Sequence, residues 1–70
     1  MLPLSYAEVN EPNVIKKVTG NPEMKKHLED MGFVTGAVVS VVSTVSGNLI
    51  VNVKDTKVAL DKQLAMKIMI

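Results

Sequence analysis

Apolar positions along this chain change period several times, and each change marks an element. Met24, Leu28 and Met31 recur at i, i+4 and i+7, which is one stripe of a helix. Asn21-Pro22-Glu23 precedes the stripe. Asn caps free N–H groups, Pro suits the first helical position, and Glu favours the positive end of the helix dipole. Gly32 follows as a residue able to end the helix in a left-handed conformation. The spacing predicts a helix from Pro22 to Met31. It is short enough that packing, rather than propensity, must hold it.

On either side of the helix the period falls towards two. Val14 to Thr19 is a candidate strand closed by Gly20, with adjacent Val14 and Ile15 pointing to a bulge or twist. Asn10-Glu11-Pro12-Asn13 before it reads as a turn. Ala37 to Val45 is the longest β signal, with Ala37, Val39 and Val41 on one face and Val38, Ser40, Val42 and Thr44 on the other. Ser46-Gly47-Asn48 reads as a hairpin turn into a strand from Leu49 to Lys54, with Leu49, Val51 and Val53 on one face and Ile50, Asn52 and Lys54 on the other. Asp55-Thr56 turns the chain again, and Lys57 to Leu60 is a short strand. Asp61 then caps a helical turn carrying Leu64, Ala65 and Ile68 inward, before a last strand from Ile68 to Ile70. The expectation is one domain over residues 1–70, mainly β with an inserted helix. About five short strands in so short a chain suit a small, partly open barrel, because closure hides sheet edges.

Composition narrows the chemistry. The chain has 70 residues and is 47% hydrophobic, yet Tyr6 and Phe33 are its only aromatic residues, so the core must be aliphatic. It has no cysteine, hence no disulfide and no thiolate metal site. All eight basic residues are Lys, against seven acids, for a formal net charge of +1. A nucleic-acid binder usually carries a basic excess and stacking aromatics, so no nucleic-acid partner is expected. No apolar run approaches the roughly 20 residues that cross a bilayer, and the first residues lack a charged signal-peptide region. A cytoplasmic chain without membrane insertion is therefore expected. No Ser stands beside a plausible base and no Gly-rich phosphate loop is present, so no catalytic residue is assigned.

A few side chains remain as candidates. Glu23, His27 and Asp30 align on the polar face of the predicted helix and offer one divalent-metal set, Fe(II) or Mn(II), although a solvated helix face is the simpler account of them. The five Met residues suit core packing or a plastic contact surface better than soft-metal coordination. Lys25 and Lys26 have Glu29 and Asp30 four residues on, which neutralises them locally. Val38, Val42, Ile50 and Met69 point away from the main core stripe. They either close a second mini-core under the helix or form a partner surface, with Lys25, Lys26 and His27 on the neighbouring helix as its polar part.

Three blocks of this sequence resemble the ferrous iron transport protein A (FeoA) family. Leu4-Ser5, Asn10-Glu11, Ile15 and Val18-Thr19-Gly20 form the first. Leu28-Glu29-Asp30-Met31-Gly32-Phe33-Val34-Thr35-Gly36-Ala37-Val38-Val39-Ser40-Val41 looks like the family's Leu-x-x-(Leu/Met)-Gly-Phe-x-x-Gly-x-x-Val-x-Val signature. Val58-Ala59-Leu60 and the Ala65-x-x-Ile68-x-Ile70 ending form the third. The resemblance implies an SH3-like barrel in which Leu28, Gly32, Phe33, Gly36, Val39, Val41, Ala59, Leu60, Ala65 and Ile68 are structural. It also implies a cytoplasmic, non-enzymatic accessory of bacterial ferrous iron uptake, with the membrane GTPase transporter FeoB as partner. The alternatives are a direct transition-metal binder and an SH3-like peptide or nucleic-acid module. An exposed barrel edge would offer weak pairing of two chains. The sequence departs from the family pattern at Asn10, where Gly is usual, at Thr35, where Pro is common, and at Val45 and Leu49, where the hairpin often has Pro. His27 stands where Arg is frequent, and Asp61 where a basic residue is frequent.

Overall fold

The helix that the stripe predicts, α1, runs Pro22–Asp30, and its two ends are built as the local chemistry demands. The computed structural model describes residues 1–70. At the start, the Asn21 side chain accepts a 2.8 Å hydrogen bond from the Met24 N–H. At the end, Gly32 takes φ 104°, its N–H donates to the Glu29 carbonyl at 2.9 Å, and the Phe33 N–H donates to the Leu28 carbonyl at 3.0 Å. That pair of bonds is a Schellman motif, and it brings the side chains of Leu28 and Phe33 together. Both are fully buried. The Leu-x-x-Met-Gly-Phe stretch is therefore one object: a helix end whose terminating residues also seed the core.

Six short strands surround the helix. β1 is Asn13–Val14, β2 Lys17–Val18, β3 Val38–Val45, β4 Asn48–Val53, β5 Thr56–Asp61 and β6 Ile68–Met69. A short helix, α2, spans Lys62–Ala65, and a 3₁₀ turn spans Leu4–Tyr6. Four strands form one sheet in the order β1-β3-β4-β5, and β2 pairs with β6 in a second. All pairings between these strands are antiparallel. The two sheets do not close on each other, so the barrel is partly open. The Asp61 carboxylate accepts from the Leu64 N–H at 2.8 Å and starts α2 as expected.

The core is wholly apolar. Leu4, Ile15, Leu28, Phe33, Val39, Val51, Ala65 and Ile68 are fully buried, with Val41, Val53 and Leu60 nearly so. Met24 on α1 and Met31 at its C-cap are half-buried. β4 follows the predicted alternation: Leu49, Val51 and Val53 point inward, while Ile50 and Asn52 are half-buried.

Four expectations need correction. The segment Val14 to Thr19 is not one strand but two, because the chain changes sheets between Ile15 and Lys16. The Ile15 N–H donates to the Ala37 carbonyl at 2.9 Å, whereas the Lys16 N–H donates to the Met69 carbonyl at 2.8 Å. The irregularity read from Val14-Ile15 is thus a sheet corner. The face assignment of β3 holds only to Val41. A bulge between Val41 and Ser43 shifts the register, so Ser43 pairs with Ile50 and Thr44 with buried Leu49. One extra residue moves every later side chain to the opposite face, which puts Thr44 on the face of Leu49, although exposed at the strand's end, and Val45 on the outer face. The turn after β4 is Lys54–Asp55 rather than Asp55-Thr56. Ala59, grouped with the structural residues, is exposed, because alternation on β5 turns Lys57, Ala59 and Asp61 outward while Leu60 is buried.

Candidate functional site

The outer face of the four-stranded sheet carries the one place where large apolar side chains meet across strands in the open. Val14 pairs with Val38 in the β1–β3 register, and directly opposed residues share a face. Val14 is 50% exposed and Val38 55%. Beside Val38 lies an open groove of about 290 Å³ lined by Ala37, Val38, Ser40, Asn52, Lys54 and Asp55. The groove has an apolar wall from Ala37 and Val38, a polar floor where Ser40 pairs with Asn52, and one charge of each sign at its mouth.

The mouth is held in an uncommon conformation. Lys54 and Asp55 have φ 51° and 60°. Left-handed backbone is costly for residues with a Cβ, and both central positions of a type I′ turn require it. The β3–β4 hairpin meets the same demand with Ser46 and Gly47, at φ 50° and 83°. The β4–β5 hairpin has no glycine, so the strain is borne by the charged pair that rims the groove. Such strain concentrates at functional sites.

Lys25, Lys26 and His27 are exposed on α1, Val42 and Ile50 are half-buried on the sheet, and Val38 is exposed at its end. No hydrogen bond or ion pair joins the α1 side chains to the sheet residues. Sequence reasoning found Val38 but missed Val14, Lys54 and Asp55. A signal existed for Val14: two adjacent apolar residues in an extended segment cannot both face inward, and Ile15 is the buried one. Lys54 and Asp55 carried no signal, because their place beside Val38 depends on the β3–β4 register.

Glu23, His27 and Asp30 lie along the exposed side of α1. Asp30 pairs with Lys26 at 3.8 Å, with both side chains largely in solvent, where such a pair contributes little. No group of three or more His, Asp or Glu side chains comes together to hold a metal ion. This trio therefore does not form a metal centre in this arrangement. A second groove, about 250 Å³, is lined by Ser5, Thr44, Gly47, Asn48, Leu49 and Lys62. The Ser5 Oγ is buried without a hydrogen-bonding partner. No helix is long and apolar enough to cross a membrane.

Comparison with known proteins agrees with this architecture. The family model for the FeoA domain matches residues 2–70. A protein of Methanocaldococcus jannaschii assigned as Fe(2+) transport protein A is 31% identical over 70 residues, covering all of this chain and 85% of that one. The crystal structure of an iron uptake regulatory protein, FeoA, superposes with a TM-score of 0.88 at 25% identity, covering 96% of this chain and 89% of that one. The zinc complex of FeoA from Stenotrophomonas maltophilia superposes with a TM-score of 0.85 at 25% identity, covering 99% and 88%. That protein is described as a prokaryotic SH3 domain protein and a candidate activating factor of ferrous iron transport. The fold is accordingly SH3-like, with the sheet partly open.

Proposed function

The chain belongs to the FeoA family, associated with ferrous iron transport, and from that premise we propose that it is a cytoplasmic, non-enzymatic accessory that docks on the cytoplasmic domain of the transporter FeoB. The observation that carries this reading is the exposed Val14–Val38 pair beside a groove rimmed by Lys54 and Asp55. Apolar side chains ringed by polar ones are how docking surfaces are built: the centre supplies desolvation and the rim supplies register. The groove is open and shallow, which suits a protein surface better than an enclosed small molecule.

The mechanism in this reading is mechanical. The aliphatic core and the Schellman end of α1 hold β1, β3 and the β4–β5 turn in fixed relation. The transporter domain then meets a preformed patch with little ordering left to do. Acting through contact, the domain biases whichever transporter state fits the patch.

Binding of the isolated FeoB cytoplasmic domain, with and without GTP, tests the reading by calorimetry. The wild type is expected to bind in at least one nucleotide state. Val38→Asp, which is exposed and leaves the core intact, is expected to weaken that binding at least about tenfold, equivalent to roughly 1.4 kcal/mol. Absence of binding in both states, or unaltered binding by Val38→Asp, rejects the reading.

A further inference from the structure

β5 ends the four-stranded sheet, and no strand pairs with its outer edge. An unpaired edge is a template for another strand. Which residues it offers follows from the hairpin. Val53 and Thr56 flank the two-residue turn Lys54–Asp55, and β4 and β5 stay in unbroken register from there to Asn48 and Asp61. Residues flanking a two-residue turn form a hydrogen-bonded pair, and hydrogen-bonded and open pairs then alternate. Thr56, Val58 and Leu60 therefore turn their backbone groups to β4. Lys57 and Ala59 turn theirs to the open edge, as Asp61 does its N–H while its carbonyl begins α2, and the same three residues place exposed side chains on the outer face.

We propose that this edge pairs with the β5 edge of a second copy of the chain, antiparallel about a two-fold axis midway between the two copies of Ala59. Only registers joining odd-numbered residues to odd-numbered residues bring outward backbone groups together. Among these, the centred one places Ala59 opposite Ala59 of the second copy and Lys57 opposite Asp61 of the second copy, twice over by symmetry. An isologous contact of this kind is self-complementary by construction. A lone Lys on an edge strand normally repels a partner strand, yet here each ammonium meets the Asp61 carboxylate that also caps α2. Ile50 pairs with Ala59 within the chain, so the joined outer face has an apolar centre, Ile50-Ala59 from each copy, between two charged pairs. The formal net charge of +1 opposes association little. Val14 and Val38 lie towards the other edge of the sheet, so the pairing is independent of transporter docking and leaves two copies of that patch free.

Sedimentation velocity across a concentration series tests the proposal, and the chain's lack of cysteine allows a second, register-specific test. The wild type is expected to shift from monomer to dimer as concentration rises. Lys57→Glu alone and Asp61→Lys alone each set like charges opposite one another and are expected to stay monomeric. An equimolar mixture of the two is expected to form a heterodimer, because every changed charge then faces its opposite. Ala59→Cys, a sole thiol beside the axis and opposite its own copy, is expected to oxidise to a covalent dimer, and Gln63→Cys, away from the axis, is not. Circular dichroism confirms folding of each variant. Should Asp61→Lys fail to fold through loss of the α2 cap, the Lys57→Glu and Ala59→Cys results decide. A wild type that remains monomeric throughout, a Lys57→Glu variant that dimerises undiminished, or equal cross-linking at positions 59 and 63 overturns the proposal.

Discussion

Thr35 occupies the second position of a tight turn in which the Ala37 N–H donates to the Val34 carbonyl at 3.0 Å. Gly36 follows at φ 92°, which a type II turn requires at its third position. The second position of such a turn favours Pro, whose fixed φ is already the turn value. No hydrogen bond uses the Thr35 N–H, so its removal costs nothing in the folded state. Thr35→Pro is expected to raise stability by about 0.4–1 kcal/mol through the unfolded chain's lost freedom. Urea unfolding checks it. A fall in stability would show that the turn is not type II in solution. Asn10 shows the same logic resolved differently. It replaces the family's usual Gly and holds φ 65°, which Asn tolerates better than most residues.

The two hairpins differ in how they meet one geometric demand. One turn has Gly47, while the other holds Lys54 and Asp55 in left-handed backbone. Asp55→Gly relieves one of those two positions and is expected to stabilise the chain by about 1 kcal/mol, read as a higher melting temperature. An unchanged or lower value would mean that the Asp55 side chain contributes more than its backbone costs. At the same scale the sheet corner explains the shape of the molecule. Ile15 bonds to the β3 side and Lys16 to β6, so a single short segment joins both sheets. A straight strand from Val14 to Thr19 would have left the second sheet without a partner.

The whole molecule depends on few contacts. A domain of this size has a stability of only about 4–10 kcal/mol, at 0.05–0.15 kcal/mol per residue. Phe33 is the largest fully buried side chain and follows the helix terminus directly. Phe33→Ala is expected to cost about 3–5 kcal/mol and to leave a substantial part of the population unfolded at 37 °C, measured by circular dichroism and denaturant titration. A cost below about 1 kcal/mol would show that the core refills around the cavity. With no disulfide in the chain, the aliphatic core must carry the fold. That leaves Val14 and Val38 exposed on the outer sheet face and the β5 edge without a paired strand.

Signals confined to a few neighbouring residues were legible in the sequence. Asn21 and Asp61 cap helices, Gly32 and Phe33 end one, and Leu49, Val51 and Val53 point inward, because capping, left-handed backbone and strand alternation are set within a turn or a strand. The resemblance to the FeoA family rested on such residues, and the match over residues 2–70 agrees with it. Tertiary structure decided everything that depends on which strand lies beside which. The bulge at Val42 is an extra residue only relative to β4, and it alone puts Thr44 on the face of Leu49 and Val45 on the opposite one. Val14 meets Val38, and Lys54 reaches the same groove, through the β1–β3 and β3–β4 registers. β5 is an edge only because no strand follows it in the sheet. Pairing joins residues far apart in the chain, and local chemistry carries no record of a distant partner.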